Sequence, residues 1–274
     1  MTAASDTASM KSESTIKKIG IVGGVAWPST VVYYSELSRR GDELRLTRGP
    51  SAPASTLETA MEMAMEMAIE SLDLNRAVAY WGNDDDDASW ARFDEYHRNA
   101  LRRLEASGAE VAVMASNTPH HRFETIVRGI GIPVISIVDA AAKAAARLGA
   151  REVLILGTAV TMRSAKFREG FARHGIEARG PRDQQARAMT EELIRELQAG
   201  KTAGAAERLG KIARESFAAE FSGPPVVCLA CTELPLAFVD EKFVATLEDR
   251  GVTYINTSAA HVDAVFEFSV GNKR

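Results

Sequence analysis

The chain has 274 residues, of which 46% are hydrophobic and 26% charged, and a net charge of −4. That length holds one large α/β domain or two of about 100 to 150 residues, and the ordinary composition lacks both an apolar run of about 18 residues and a basic stripe interleaved with aromatics. A membrane span is thereby excluded, nucleic acid is not expected as a partner, and a small molecule is.

In chain order, residues 1–16 are small and polar with no apolar signal core, and are expected to form a disordered tail on a cytoplasmic protein. The runs KIGIVGG (18–24), EVAVMAS (110–116), IPVISIV (132–138), EVLILGT (152–158), PVVCLAC (225–231) and VTYINT (252–257) are short, apolar and bounded by Gly, Pro or Asn. They predict buried parallel strands, which need not alternate because both faces are covered. Helical stretches lie between them, several closing on glycine at Gly108, Gly149, Gly175 and Gly200. Strand alternating with helix predicts a doubly wound α/β fold. Two segments resist this reading: the Met/Glu-rich 57–70, whose end can be a strand, and the run NDDDD (83–87), expected as a solvated loop rather than a metal site. The only cysteines, Cys228 and Cys231, exclude a disulfide scaffold and a four-thiolate zinc site. Their C-x-x-C spacing lies in an apolar strand, where residues three apart point to opposite faces, so Cys228 is read as core rather than as half of a redox pair.

The strands repeat. KIGIVGG aligns with EVLILGT, VAVMASNTPHHRF with VVCLACTELPLAF, and IPVISIV with VTYINTS, in the same order. A two-copy duplication follows: two similar parallel-sheet domains about a pseudo-twofold axis, with boundaries at 17–130 plus 240–274 for the first and 131–239 for the second. Ligands of such sheets bind outside the carboxyl ends of the strands, so the site is expected in the cleft between the domains. There Ser116 of one copy and Cys231 of the other would face each other. Groups on opposite faces of a tetrahedral carbon can remove a proton from one side and return one to the other. Asn117, Thr118, Thr232 and backbone N–H groups at helix starts are expected to hold a carboxylate.

These residues resemble the aspartate/glutamate racemase family. The resemblance is carried by IGIVGGVAWPSTVVYY, by SNTPH where the family has Cys-Asn-Thr, by LGTAVTM and by ACTELPL, and it runs from about residue 17 to 266. It implies a two-domain α/β fold, a cleft with two thiols, no pyridoxal phosphate or other cofactor, no metal, and often a homodimer. It also implies Ser116 and Cys231 as the catalytic pair, with Thr158, Thr161, Trp27 and His261 joining Asn117, Thr118 and Thr232 around the substrate, an acidic amino acid.

The departure is Ser116, where the first catalytic cysteine should stand. A thiol ionises near pH 8.5 and lower at a helix start, whereas a serine hydroxyl is a poor base without help. His120 and His121 are more readily structural or exposed than bases for Ser116. Trp27 and Met162 are each read as lid or core, and Arg76 and Lys201 as candidates for a side-chain carboxylate with solvated surface as the default. The alternatives are a related lyase or isomerase, decarboxylase-like or maleate isomerase-like, that uses Cys231 alone, and a binding protein that kept the cleft without turnover.

Overall fold

The computed structural model describes residues 16–48, 65–83, 86–238 and 243–271. The first sheet contains β1 (Ile19–Gly23), β2 (Met67–Ser71), β3 (Val111–Met114) and β4 (Val134–Ile135), in the order β2-β1-β3-β4 with every pair parallel. Its helices are α1 (Trp27–Arg48), α2 (Leu74–Ala79), α3 (Ala91–Ala106) and α4 (Phe123–Ile126). After α5 (Ile137–Arg147) comes the second sheet, with β5 (Glu152–Gly157), β6 (Glu177–Arg179), β7 (Val226–Ala230), β8 (Thr246–Asp249) and β9 (Val252–Asn256) in the order β6-β5-β7-β9-β8, β8 being antiparallel. The remaining helices are α6 (Ala159–Arg163), α7 (Ala165–Ala172), α8 (Gln184–Gln198), α9 (Ala205–Glu220) and α10 (Thr257–Ser269).

Side-chain alternation explains the layering. Along β1 and β3, Ile19, Ile21, Val111 and Val113 pack toward α1 and α10, while Val22, Ala112 and Met114 pack toward α3. In the second sheet Leu154, Leu156, Val227 and Leu229 face α8 and α9, and Val153, Ile155 and Cys228 face α5 and α7. Both faces of each sheet are thus covered, and strands such as IGIVG and VVCLA are apolar throughout for that reason. Gly108, Gly149, Gly175 and Gly200 all have positive φ after a helix, as their positions predict. Gly24 has φ +87°, and a Cβ there would lie 2.3 Å from the Leu72 carbonyl oxygen, so the turn leaving β1 requires glycine on both counts.

The three aligned sequence pairs are the topologically equivalent strands: β1 with β5, β3 with β7, and β4 with β9. The strand pairing corrects the expected domain boundaries. Residues 246–256, assigned to the first domain, form β8 and β9 of the second sheet, because β9 completes the edge of β7. Conversely β4, assigned to the second domain, pairs with β3 of the first. The closing helices are exchanged: α5 buries Ile137, Ala141 and Ala145 in the core of the second domain, whereas α10 buries Val262 and Val265 against β1 and β3. Of the Met/Glu-rich segment, the end forms β2 and residues 57–64 lie outside the described residues. In the aspartate run, Asp86 caps a 3-10 turn and Asp87 pairs with Arg122, while residues 84 and 85 lie outside the described residues. Among the described residues no cluster of His, Cys, Asp or Glu suits a metal ion, and no helix is long and apolar enough to cross a membrane.

Candidate active site

The two turns that carry Ser116 and Cys231 are built alike. Each follows a central parallel strand, bends, and enters a 3-10 turn with proline near its start: Thr118–Arg122 with Pro119, and Leu234–Ala237 with Pro235. Proline fits there because the first N–H groups of a helical turn have no internal partner. Strand ends from both sheets converge on the interface. Val160, just after β5, packs with Val22, Leu72 and Met114 of the first domain, and His121 Nδ1 lies 2.9 Å from Ser164 Oγ.

Asn117 ties the two turns together. Its Nδ2 donates to Thr257 Oγ1 at 3.1 Å, and Thr257 Oγ1 donates to the Leu229 carbonyl at 2.9 Å, two residues before Cys231. Thr257 has a single hydroxyl proton and spends it on Leu229, so its oxygen must accept, and the amide of Asn117 must present its nitrogen. Asn117 Oδ1 is then left buried without a hydrogen-bond partner among the described residues. That atom is an acceptor. It suits an ammonium group rather than the carboxylate expected from the sequence.

On the other side, Cys231 is 6% exposed and Glu233 5%. Cys231 Sγ donates to Glu233 Oε2 at 2.9 Å, and Thr232 Oγ1 donates to the same oxygen at 3.1 Å. Burial pushes the Cys231 thiol well above its ordinary pKa, and the Glu233 carboxylate pushes it further; the backbone N–H groups of Glu233 and Thr232 pull in the opposite direction. The resting thiol therefore carries its proton. Glu233 received no role from sequence reasoning, although an acidic residue two positions after a candidate cysteine, inside a tight turn, was the available signal. Cys228 is fully buried on the opposite face of the sheet, and both thiols are free.

The other expected site residues divide. Ser116 is half-buried and Thr118 buried in the first turn, and Thr232 is half-buried beside Glu233. Thr158 caps α6, its Oγ1 lying 3.1 Å from Thr161 Oγ1, and the Ala159 N–H donates to Glu191 Oε1 at 2.9 Å. The helix start expected to receive a substrate carboxylate already holds one of the protein's own. His261 is fully buried: its Nε2–H donates to the Ile135 carbonyl and its Nδ1 accepts from Tyr33 Oη, both at 2.8 Å. No ring nitrogen is left for a ligand, so His261 is a strut between α1, β4 and α10, which corrects its assignment to the substrate. Trp27 is 71% exposed at the start of α1, Met162 is core, and Arg76 and Lys201 are exposed. His120 accepts from the Ile137 N–H at 3.3 Å and its Nε2 faces the Met114 carbonyl at 3.4 Å, so its ring is engaged away from Ser116.

The α/β fold with two parallel-sheet domains is shared with the racemases that the chain matches. The Asp/Glu/Hydantoin racemase family profile covers residues 22–265, and the chain belongs to that family. An aspartate racemase homologue from Pyrococcus horikoshii OT3 is similar in structure, with a TM-score of 0.68 and 26% identity over 92% of this chain and 99% of that one. The aspartate racemase of Picrophilus torridus gives a TM-score of 0.63 at 19% identity over 94% and 95% of the two chains. The glutamate racemase of Campylobacter jejuni subsp. jejuni gives 0.59 at 17% over 92% and 85%.

Proposed function

We propose that the protein is a racemase that exchanges the proton at the α-carbon of an amino acid without pyridoxal phosphate, acting in the cytoplasm as a homodimer. The observation that carries this reading is the Cys231–Glu233 pair at the end of β7, linked through Leu229, Thr257 and Asn117 to the turn bearing Ser116. The α-carbon sits between Ser116 Oγ and Cys231 Sγ, and the α-ammonium donates to Asn117 Oδ1. N–H groups of the two turns face the α-carboxylate.

The thiol and Glu233 act as one unit that shares a proton. With the proton on sulfur, Cys231 is the acid that protonates the carbanion on its face. With the proton on Glu233 the repulsion between thiolate and carboxylate disappears, and Cys231 is the base for the reverse direction. Ser116 has no such partner from His120, so the exchange is faster on the Cys231 face than on the Ser116 face.

The family resemblance makes aspartate, glutamate or a similar acidic amino acid the first substrates to test. Incubation in deuterated water, followed by proton NMR and chiral analysis, separates the readings. Exchange with racemisation supports the proposal. Exchange with retained configuration marks a one-base enzyme using Cys231 alone, and no exchange of any amino acid overturns the racemase.

A further inference from the structure

His120 is turned away from Ser116, yet it is buried in the turn that follows it. Its backbone N–H donates to the Asn117 carbonyl at 3.0 Å, and its ring Nε2 faces the Met114 carbonyl at 3.4 Å. The segment 114–120, which contains Ser116, Asn117 and Thr118, is thus closed on one residue. Nδ1 of the same ring reaches the Ile137 N–H at 3.3 Å, the first N–H of α5. Ile137 belongs to the core of the second domain, so this bond runs from the Ser116 turn to the helix that closes the other half. An N–H only donates, so Nδ1 accepts and the ring proton sits on Nε2. Burial, with His261 adding to it, holds His120 well below the ordinary histidine pKa, which keeps Nδ1 an acceptor.

His261 grips the same stretch of chain from α10 through the Ile135 carbonyl, and the two imidazoles meet edge to face with centroids 5.6 Å apart. Phe123 stacks on His120 at 5.2 Å, so packing as well as hydrogen bonding fixes the plane of the ring. A leucine or phenylalanine would fill such a space without the cost of enclosing two ring nitrogens. The Asn117–Thr257 bond holds the turn at one point, about which it could pivot, and the His120–Ile137 bond, three residues on, supplies the second. The geometry points to His120 as a positioning residue, whose Nδ1 bond to Ile137 sets where Ser116 Oγ and Asn117 Oδ1 stand relative to Cys231 on the other domain. This role rests on the racemase reading and adds to it a residue outside the reacting pair.

The test follows both enantiomers of aspartate and glutamate in deuterated water by proton NMR and chiral analysis. Two rates are read: exchange with retention, which needs the Cys231 face alone, and inversion, which needs the Ser116 face as well. His120→Leu should lower inversion relative to retention about tenfold or more, the scale of a misplaced reacting group, whereas lost stability would lower both rates together. His120→Asn, whose Oδ1 takes the place of Nδ1, should keep the ratio near that of the unaltered protein. His120→Gln, whose polar atoms reach the Nε2 position instead, should lower it as leucine does. This polar pair carries the test if the leucine variant does not fold, which circular dichroism decides. An unchanged ratio in a folded His120→Leu or His120→Gln, or equal ratios in the asparagine and glutamine variants, overturns the positioning role while the racemase stands. No exchange by the unaltered protein overturns the racemase and this role together.

Discussion

Asn117 and Thr257, 140 positions apart, are joined by a 3.1 Å hydrogen bond between the turn after β3 and the first residue of α10. Removing the hydroxyl in Thr257→Val, a change of little volume, strands Asn117 Nδ2 and the Leu229 carbonyl in the interior. The expected cost is about 1 to 3 kcal/mol, read as a lower urea midpoint, with Thr257→Ser close to the original protein. Equal stability of the valine variant would mean that the two turns are held by packing alone.

In the proposed function, exchange depends on Cys231. Cys231→Ala should lower α-proton exchange about 100-fold or more, the scale of a lost general acid or base, and Ser116→Ala should cost less. Equal losses would show that both faces contribute alike.

The carboxylate of Glu233 raises the pKa of the thiol beside it, so Glu233→Gln should lower the pKa of Cys231. Alkylation by iodoacetamide, followed against pH by mass spectrometry of the Cys231 peptide, reads this directly. Cys228 is fully buried and its pKa too is raised by burial, so it does not compete. A midpoint that stays put in the glutamine variant would remove Glu233 from the proton-sharing unit.

Ser116→Cys should raise racemisation about tenfold, because a thiol is both a better acid and a better base than a hydroxyl. The swap is small and its site half-buried. A folded variant with no gain on any amino acid, apolar or acidic, would point to a one-sided reaction of the lyase or isomerase type.

Acid should weaken the fold before the carboxylates protonate. Burial lowers His97 and His261 to about 4 in the folded chain, against about 6.5 when unfolded. A depressed histidine favours the neutral form when folded, so its contribution is complete above pH ~6.5 and is lost as pH falls toward 4 and below. Each is worth about 3 kcal/mol at the limit. Urea midpoints at pH 7, 5.5 and 4.5 should fall progressively, and a flat profile would contradict the burial of these rings.

Much of the fold could be read from the sequence because the strands of parallel sheets are apolar on both faces and stand out between glycine-terminated helices. The repeat identified equivalent strands correctly, since β4 and β9 occupy the same place in their sheets. It misled on boundaries because contiguity in sequence does not show which sheet a short strand joins, and because α5 and α10 close each other's domains. Within the candidate site, the turns at Ser116 and Cys231 could be read from their matching Pro-containing motifs. Glu233, Thr257 and the engagement of His261 could not, because each depends on which side chains meet across the two halves, and no local pattern records that.

The exchanged helices also tie the two halves together. The chain crosses from one half to the other at Ser136, the cap of α5, and again at Asn256, the cap of α10. His261 of α10 is bonded to the Ile135 carbonyl beside the first crossing. Two crossings joined in this way fix the halves to each other more firmly than a single linker would. The Asn117–Thr257 contact lies next to the second crossing. The turn that bears Asn117 is therefore anchored where the two halves are joined rather than at their outer parts.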